Sequence, residues 1–122
     1  MSKLTPQELE DRLIDFASRI IDVVEALPKG PIARHLGGQL VRSRTSPALN
    51  YGEARGAESP SDFVHKLRIC LKELRETFIC LKIINRRDWF PKGKLDSIMK
   101  ENNELIAIFV SSIRTHGGGK KS

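Results

Sequence analysis

Apolar residues recur along this chain at three- and four-residue steps, and nowhere do they alternate in the two-residue period of a half-buried strand. Leu9, Leu13, Phe16, Ile20, Val23 or Val24, and Leu27 form one such stripe, which predicts a helix over about 6–27. Thr5-Pro6-Gln7-Glu8 ahead of it has the form of a capping box. Thr5 can bond the Glu8 amide, Glu8 can reach back, and Pro6 stands where a missing N–H costs nothing. Pro28-Lys29-Gly30-Pro31 then ends the helix.

The second segment, about 32–56, carries two stripes. Leu36, Leu40, Ala48, Tyr51 and Ala54 supply apolar contacts, while Gln39, Ser43, Ser46, Asn50 and Glu53 repeat at the same helical spacing and are wholly polar. Pro47 falls inside the segment. A proline within a helix removes a backbone bond and crowds the preceding turn, so the expectation is one kinked helix, with two shorter helices as the alternative.

Ser59-Pro60-Ser61-Asp62 repeats the opening device of the first helix. A third helix over about 60–86 follows, with Phe63, Leu67, Cys70 or Leu71, Leu74, Phe78, Leu81 and Ile84 on one face. Asn85-Arg86-Arg87-Asp88, Pro91 and Gly93 turn the chain. The half-apolar pair Trp89 and Phe90 in this turn is expected to cap the end of the bundle. A fourth helix over about 94–115 faces the core with Leu95, Ile98, Asn102, Leu105, Phe109 and Ile113. Asn102 reads as a polar residue that sets packing register. Residues 117–122 read as a disordered tail.

Short links between long helices predict an all-α, antiparallel, up-down-up-down four-helix bundle, one domain over residues 1–116. The third and fourth helices carry more apolar surface than one bundle hides. Val64 widens the third helix's face, as do Ile69, Ile79 and Ile83; Met99, Ile106 and Val110 form a second line on the fourth. Surface of this kind calls for a partner. Ile69, Ile79, Ile83, Met99, Ile106 and Val110 are therefore the candidate contacts between copies of the chain.

At 122 residues with 39% hydrophobic content the chain holds enough for one core. No run approaches the ~18 apolar residues of a membrane span, and the N-terminus has no apolar stretch of the kind that marks a secretory signal. Cys70 and Cys80 lie ten residues apart in one helix. That is about 15 Å of rise, beyond the roughly 7 Å reach of a disulfide. Buried thiols and a cytoplasmic setting are expected. The net charge of +6 is unevenly spread. Residues 6–26 hold six acids and two bases, whereas residues 59–87 hold seven bases and three acids. Either an anionic partner or an acidic first helix packed on basic ones accounts for that segregation.

Gln39-Leu40-Val41-Arg42-Ser43-Arg44-Thr45-Ser46, then Asn50-Tyr51-Gly52-Glu53-Ala54, Ala57-Glu58-Ser59, Asp62-Phe63, Lys66-Leu67 and Leu71-Lys72-Glu73-Leu74-Arg75-Glu76-Thr77 resemble the pattern of the 23S rRNA-intervening sequence proteins. The matching residues cover about 40 positions of the second and third helices. The resemblance implies a left-handed antiparallel bundle assembled as a homopentamer. It also implies likeness to the accessory protein of diversity-generating retroelements, a basic barrel that engages nucleic acid and a reverse transcriptase. Two departures stand out. Pro47 occupies a position where a helix-compatible residue is usual, and the tryptophan often found after Glu76-Thr77 is absent, with Phe78 and Cys80 nearby instead.

The candidate nucleic-acid contacts are Arg34, Arg42, Arg44, Lys66, Arg68, Lys72, Arg75, Lys82, Arg86 and Arg87, because clustered Lys and Arg bind a phosphate backbone. Aromatics make up 6% of residues and do not interleave with these bases, so backbone contact is expected over base stacking. The polar stripe, Gln39, Ser43, Ser46, Asn50 and Glu53, reads first as a hydrogen-bonded network that holds register, with Glu53 paired to a base on a neighbouring helix. A ligand surface is the second reading. His35, His65 and His116 fall in different segments without metal-ligand spacing, and no Cys-x-x-Cys occurs. Gly117-Gly118-Gly119-Lys120-Lys121 lacks the spacing of a phosphate loop. The expectation is a non-enzymatic, cofactor-free, homo-oligomeric scaffold that binds RNA or DNA through basic helix faces. The alternative is a protein-interaction module that binds no nucleic acid.

Overall fold

Proline opens four of the helices. Pro6, Pro31, Pro47 and Pro60 are the first residues of α1 (Pro6–Glu25), α2 (Pro31–Leu40), α3 (Pro47–Arg55) and α4 (Pro60–Asn85). α5 (Asp96–His116) completes the set. At the first position of a helix the ring costs no hydrogen bond and its fixed φ already suits the helix. The structure, a computed structural model, describes residues 4–41 and 47–117; among these residues there is no strand.

Both caps read from the sequence are formed. The Thr5 amide donates to Glu8 Oε1 at 2.9 Å, and the Glu8 amide donates to Thr5 Oγ1 at 3.0 Å. Ser59 Oγ accepts from the Asp62 amide at 3.1 Å. The expectation of one kinked helix over 32–56 is corrected. α2 stops at Leu40, Val41 has left the helical region at φ −111°, ψ 59°, and α3 begins afresh at Pro47. Pro47 thus takes the helix start, where it costs nothing, and avoids the interior, where it would cost about 3 kcal/mol.

Two glycines make the turns possible. Gly30, at φ 141°, holds a backbone that L side chains rarely adopt and feeds Pro31 into α2. Gly93, at φ 83°, does the same ahead of α5. Gly37 serves packing: a Cβ there would stand 3.3 Å from side-chain carbons of both Leu27 and Val24, so α2 lies close against the end of α1.

The contacts between helices set their directions. Arg12 reaches Glu101 and Arg19 reaches Ser97, so α1 and α5 run oppositely. Asn102 meets Leu74 while His116 meets Phe63, so α5 and α4 do too. Glu53 meets Lys66 and Pro47 meets Cys70, which opposes α3 to α4. α1 and α4 consequently run the same way. Their backbones stay apart among the described residues, and the two helices occupy opposite corners of the bundle, meeting only through core side chains.

The core follows the predicted stripes. Leu9, Leu13, Phe16 and Ile20 of α1 are buried, with Leu67, Cys70, Leu74, Leu81 and Ile84 of α4. All six predicted core positions near and along α5 are buried, Leu105, Phe109 and Asn102 completely. Tyr51 of α3 meets Phe109 edge to face with ring centroids 5.8 Å apart. Asn102 Nδ2 donates to the Leu74 carbonyl at 3.0 Å, a polar tie between α4 and α5. Trp89 and Phe90 pack half-buried against the core at the α4–α5 turn.

Candidate functional site

The basic residues singled out from the sequence separate into three groups. Arg42 and Arg44 lie outside the described residues. Lys66 is engaged: its Nζ donates to Glu53 Oε1 at 3.0 Å, and that bond raises the lysine pKa. The pairing of Glu53 with a base on a neighbouring helix is as expected, although the carboxylate is exposed.

The remaining α4 bases share one face. Arg68, Lys72, Arg75, Lys82 and Arg86 are spaced by four, three, seven and four residues, keep one helical phase, and are all exposed. They extend about 27 Å along the helix. Ile79, 53% exposed, falls on the same line, and Ile83, 44% exposed, lies beside it. Lys82 Nζ sits 5.1 Å from the centroid of the Phe78 ring, which holds the ammonium along the helix surface.

The third group lies at one end of the bundle. Because α1 and α4 are parallel, the α1–α2 link and the α4–α5 turn share that end. Arg34 and Arg87 are exposed there, with Arg86 at the corner where the α4 face meets it. Arg87 also stacks over Trp89, 5.6 Å from the ring centroid. Exposed Lys29, Lys92 and Lys94 join them, interspersed with Glu25, Asp88 and Asp96. These three lysines were missed from the sequence because they sit in links without periodicity. The signal available was topology, since an up-down bundle brings alternate links together.

The polar stripe is not brought together as a single network among the described residues. Gln39 is exposed on α2, Asn50 is buried on α3, and Glu53 faces solvent beside Lys66. Ser43 and Ser46 lie outside the described residues. Breaking the segment at Val41 puts Gln39 on a different helix from Asn50 and so removes the common phase. Four clefts lined by described residues, the largest about 520 Å³, involve neither Asn50 nor Glu53.

The expected self-contact residues also divide. Ile69, Met99, Ile106 and Val110 are half-buried, and Met99 and Ile106 pack on the subunit's own core. Ile79 and Ile83 stay open to solvent. Val64, expected to widen the surface, is itself buried and packs close to Gly117 at the end of α5.

The acidic first helix spends part of its charge inside the subunit. Arg12 binds Glu101 through two hydrogen bonds of 2.9 and 2.6 Å, and reaches Glu104 at 3.1 Å. Hydrogen bonding to Glu101 raises the arginine pKa, against a smaller opposing effect of burial. Glu10 binds Arg55 of α3 at 2.8 Å. Asp11, Asp15, Asp22 and Glu25, by contrast, are exposed on the outer side of α1.

His35, His65 and His116 are exposed on three different helices, and among the described residues no His, Cys, Asp and Glu cluster is arranged to hold a metal ion. Cys70 is buried, donates weakly to the Pro47 carbonyl at 3.6 Å, and has its pKa pushed up to about 12 by desolvation. Such a thiol is packing and not a nucleophile. No helix among the described residues is long and apolar enough to cross a membrane.

Comparison with curated proteins gives no match. Among solved structures, the chain is similar to a protein of unknown function from the S23 ribosomal protein family of Bacteroides thetaiotaomicron. The two are 27% identical with a TM-score of 0.75, over 87% of this chain and 98% of that one. The family model for the 23S rRNA-intervening sequence protein matches residues 8–111, nearly the whole helical part. With that match over the helices just described, the chain belongs to the 23S rRNA-intervening sequence protein family.

Proposed function

We propose that the protein is a non-enzymatic, cytoplasmic scaffold that self-associates as a homopentamer and binds nucleic acid at the basic end of its bundle. The observation that carries this reading is the gathering of Arg34, Arg87, Lys29, Lys92 and Lys94 at one end, with Arg86 at its edge. Exposed bases so grouped suit phosphates spaced along a strand. RNA and DNA are then bound through the backbone with little sequence preference.

The test is an electrophoretic shift with mixed-sequence RNA and DNA at low salt. Retardation at micromolar protein is expected, weakening steeply between about 50 and 200 mM salt. Arg34→Glu with Arg87→Glu should weaken the shift at least tenfold while leaving helix content unchanged. No retardation, or binding indifferent to salt, defeats the proposal.

A further inference from the structure

We propose that copies of the protein assemble head to tail, the acidic outer face of α1 in one copy lying on the basic outer face of α4 in the next. This rests on the self-association read above and names the two surfaces that meet.

The two faces match in sign and apolar content. Asp11, Asp15, Asp22 and Glu25 lie along the outside of α1, and Lys72, Arg75, Lys82 and Arg86 lie along the outside of α4. Each set covers fifteen residues, or about 21 Å of helix, and Arg68 carries the basic line on to about 27 Å. Each face also carries two large aliphatic side chains left open to solvent. On α1 these are Ile14 and Ile21, 52% and 46% exposed; on α4 they are Ile79 and Ile83. Isoleucines set among like charges gain nothing from water, but on docking they can be covered while the charges around them find opposite partners.

The subunit cannot satisfy this match internally. α1 and α4 occupy opposite corners of the bundle with only their core faces turned toward each other, so their outer faces point away from each other. Glu10, which pairs with Arg55, lies off the outer face, and of the outer acids Asp11 accepts a hydrogen bond from the uncharged Gln7 at 3.1 Å. A contact between two different surfaces of one chain leaves a free surface of each kind on every dimer. It therefore propagates, and closes into a ring when the rotation allows. With α1 parallel to α4 in each copy, docking side by side places the basic ends of all copies on the same rim.

Charge reversal tests the contact. Asp15→Lys with Asp22→Lys alters one face, Arg75→Glu with Lys82→Glu alters the other, and a third variant carries all four changes. Sedimentation should show the unaltered protein assembled at micromolar concentration, each two-residue variant dissociated to monomers, and the four-residue variant assembled again. Since the two faces do not meet within a subunit, recovery by the fourfold change can arise only between copies. Circular dichroism verifies that all three stay helical. A two-residue variant that remains assembled overturns the proposal, as does a helical fourfold variant that stays monomeric. In those cases self-association itself stands, whereas an unaltered protein that is monomeric throughout dilution defeats both. The gel shift on the basic end is scored separately.

Discussion

α5 and the α2–α3 side of the bundle contribute nearly equal lengths of helix by different means. α5 is one rod of 21 residues, and its core face from Ile98 to Ile113 is buried along its whole length. α2 and α3 have 10 and 9 residues and meet the rest of the molecule through particular contacts. These are Gly37 against Leu27 and Val24, Tyr51 against Phe109, and the Pro47 carbonyl above Cys70. A continuous apolar stripe settles a helix's phase, length and depth together. An interrupted one leaves those to its neighbours.

The largest test of this contrast is Phe109→Ala, which empties a completely buried site and removes the ring that Tyr51 packs on. A loss of about 3–5 kcal/mol is expected in urea unfolding. A loss under about 1 kcal/mol would mean that α5 is not the spine of the core. Cys70 gives a test through pH. Its thiol ionises near 9.0 when unhindered and is held protonated up to about 12 in the folded state. The unfolded chain releases the proton first, so stability is intact below about 9 and declines as pH climbs toward 12. Replacing Cys70 with alanine should flatten that decline relative to the parent, by up to about 1.4 kcal/mol per pH unit. Equal slopes in the two proteins would mean that α3 does not shield the thiol. The smallest effect belongs to Pro47→Ala. At a helix start, proline stabilises by restricting the unfolded chain, so a loss of about 0.4–1 kcal/mol is expected. Were Pro47 inside a kinked helix, its removal would stabilise by as much as ~3 kcal/mol.

The same contrast explains what could be read from the sequence. The α5 core positions, the α1 stripe and both caps were legible because each is a local rule carried by consecutive turns. The break at Val41 was not. Gln39, Asn50 and Glu53 keep helical spacing across it, and periodicity is blind to a phase reset between two helices that happen to agree. For the candidate site, sequence distinguished the basic face of α4 from the acidic face of α1. It could not show that Lys66 is occupied by Glu53, or that Lys29, Lys92 and Lys94 converge on Arg34 and Arg87, since both depend on which ends of the helices are neighbours.

The diagonal placement of α1 and α4 has an electrical consequence. With carboxylates outside one corner and ammonium and guanidinium groups outside the opposite one, a lone subunit possesses a permanent moment directed across its waist. Two such bodies rotate one another into alignment before their surfaces touch. At 0.15 M salt this torque reaches only about 8 Å, so ionic strength governs how often encounters begin well oriented.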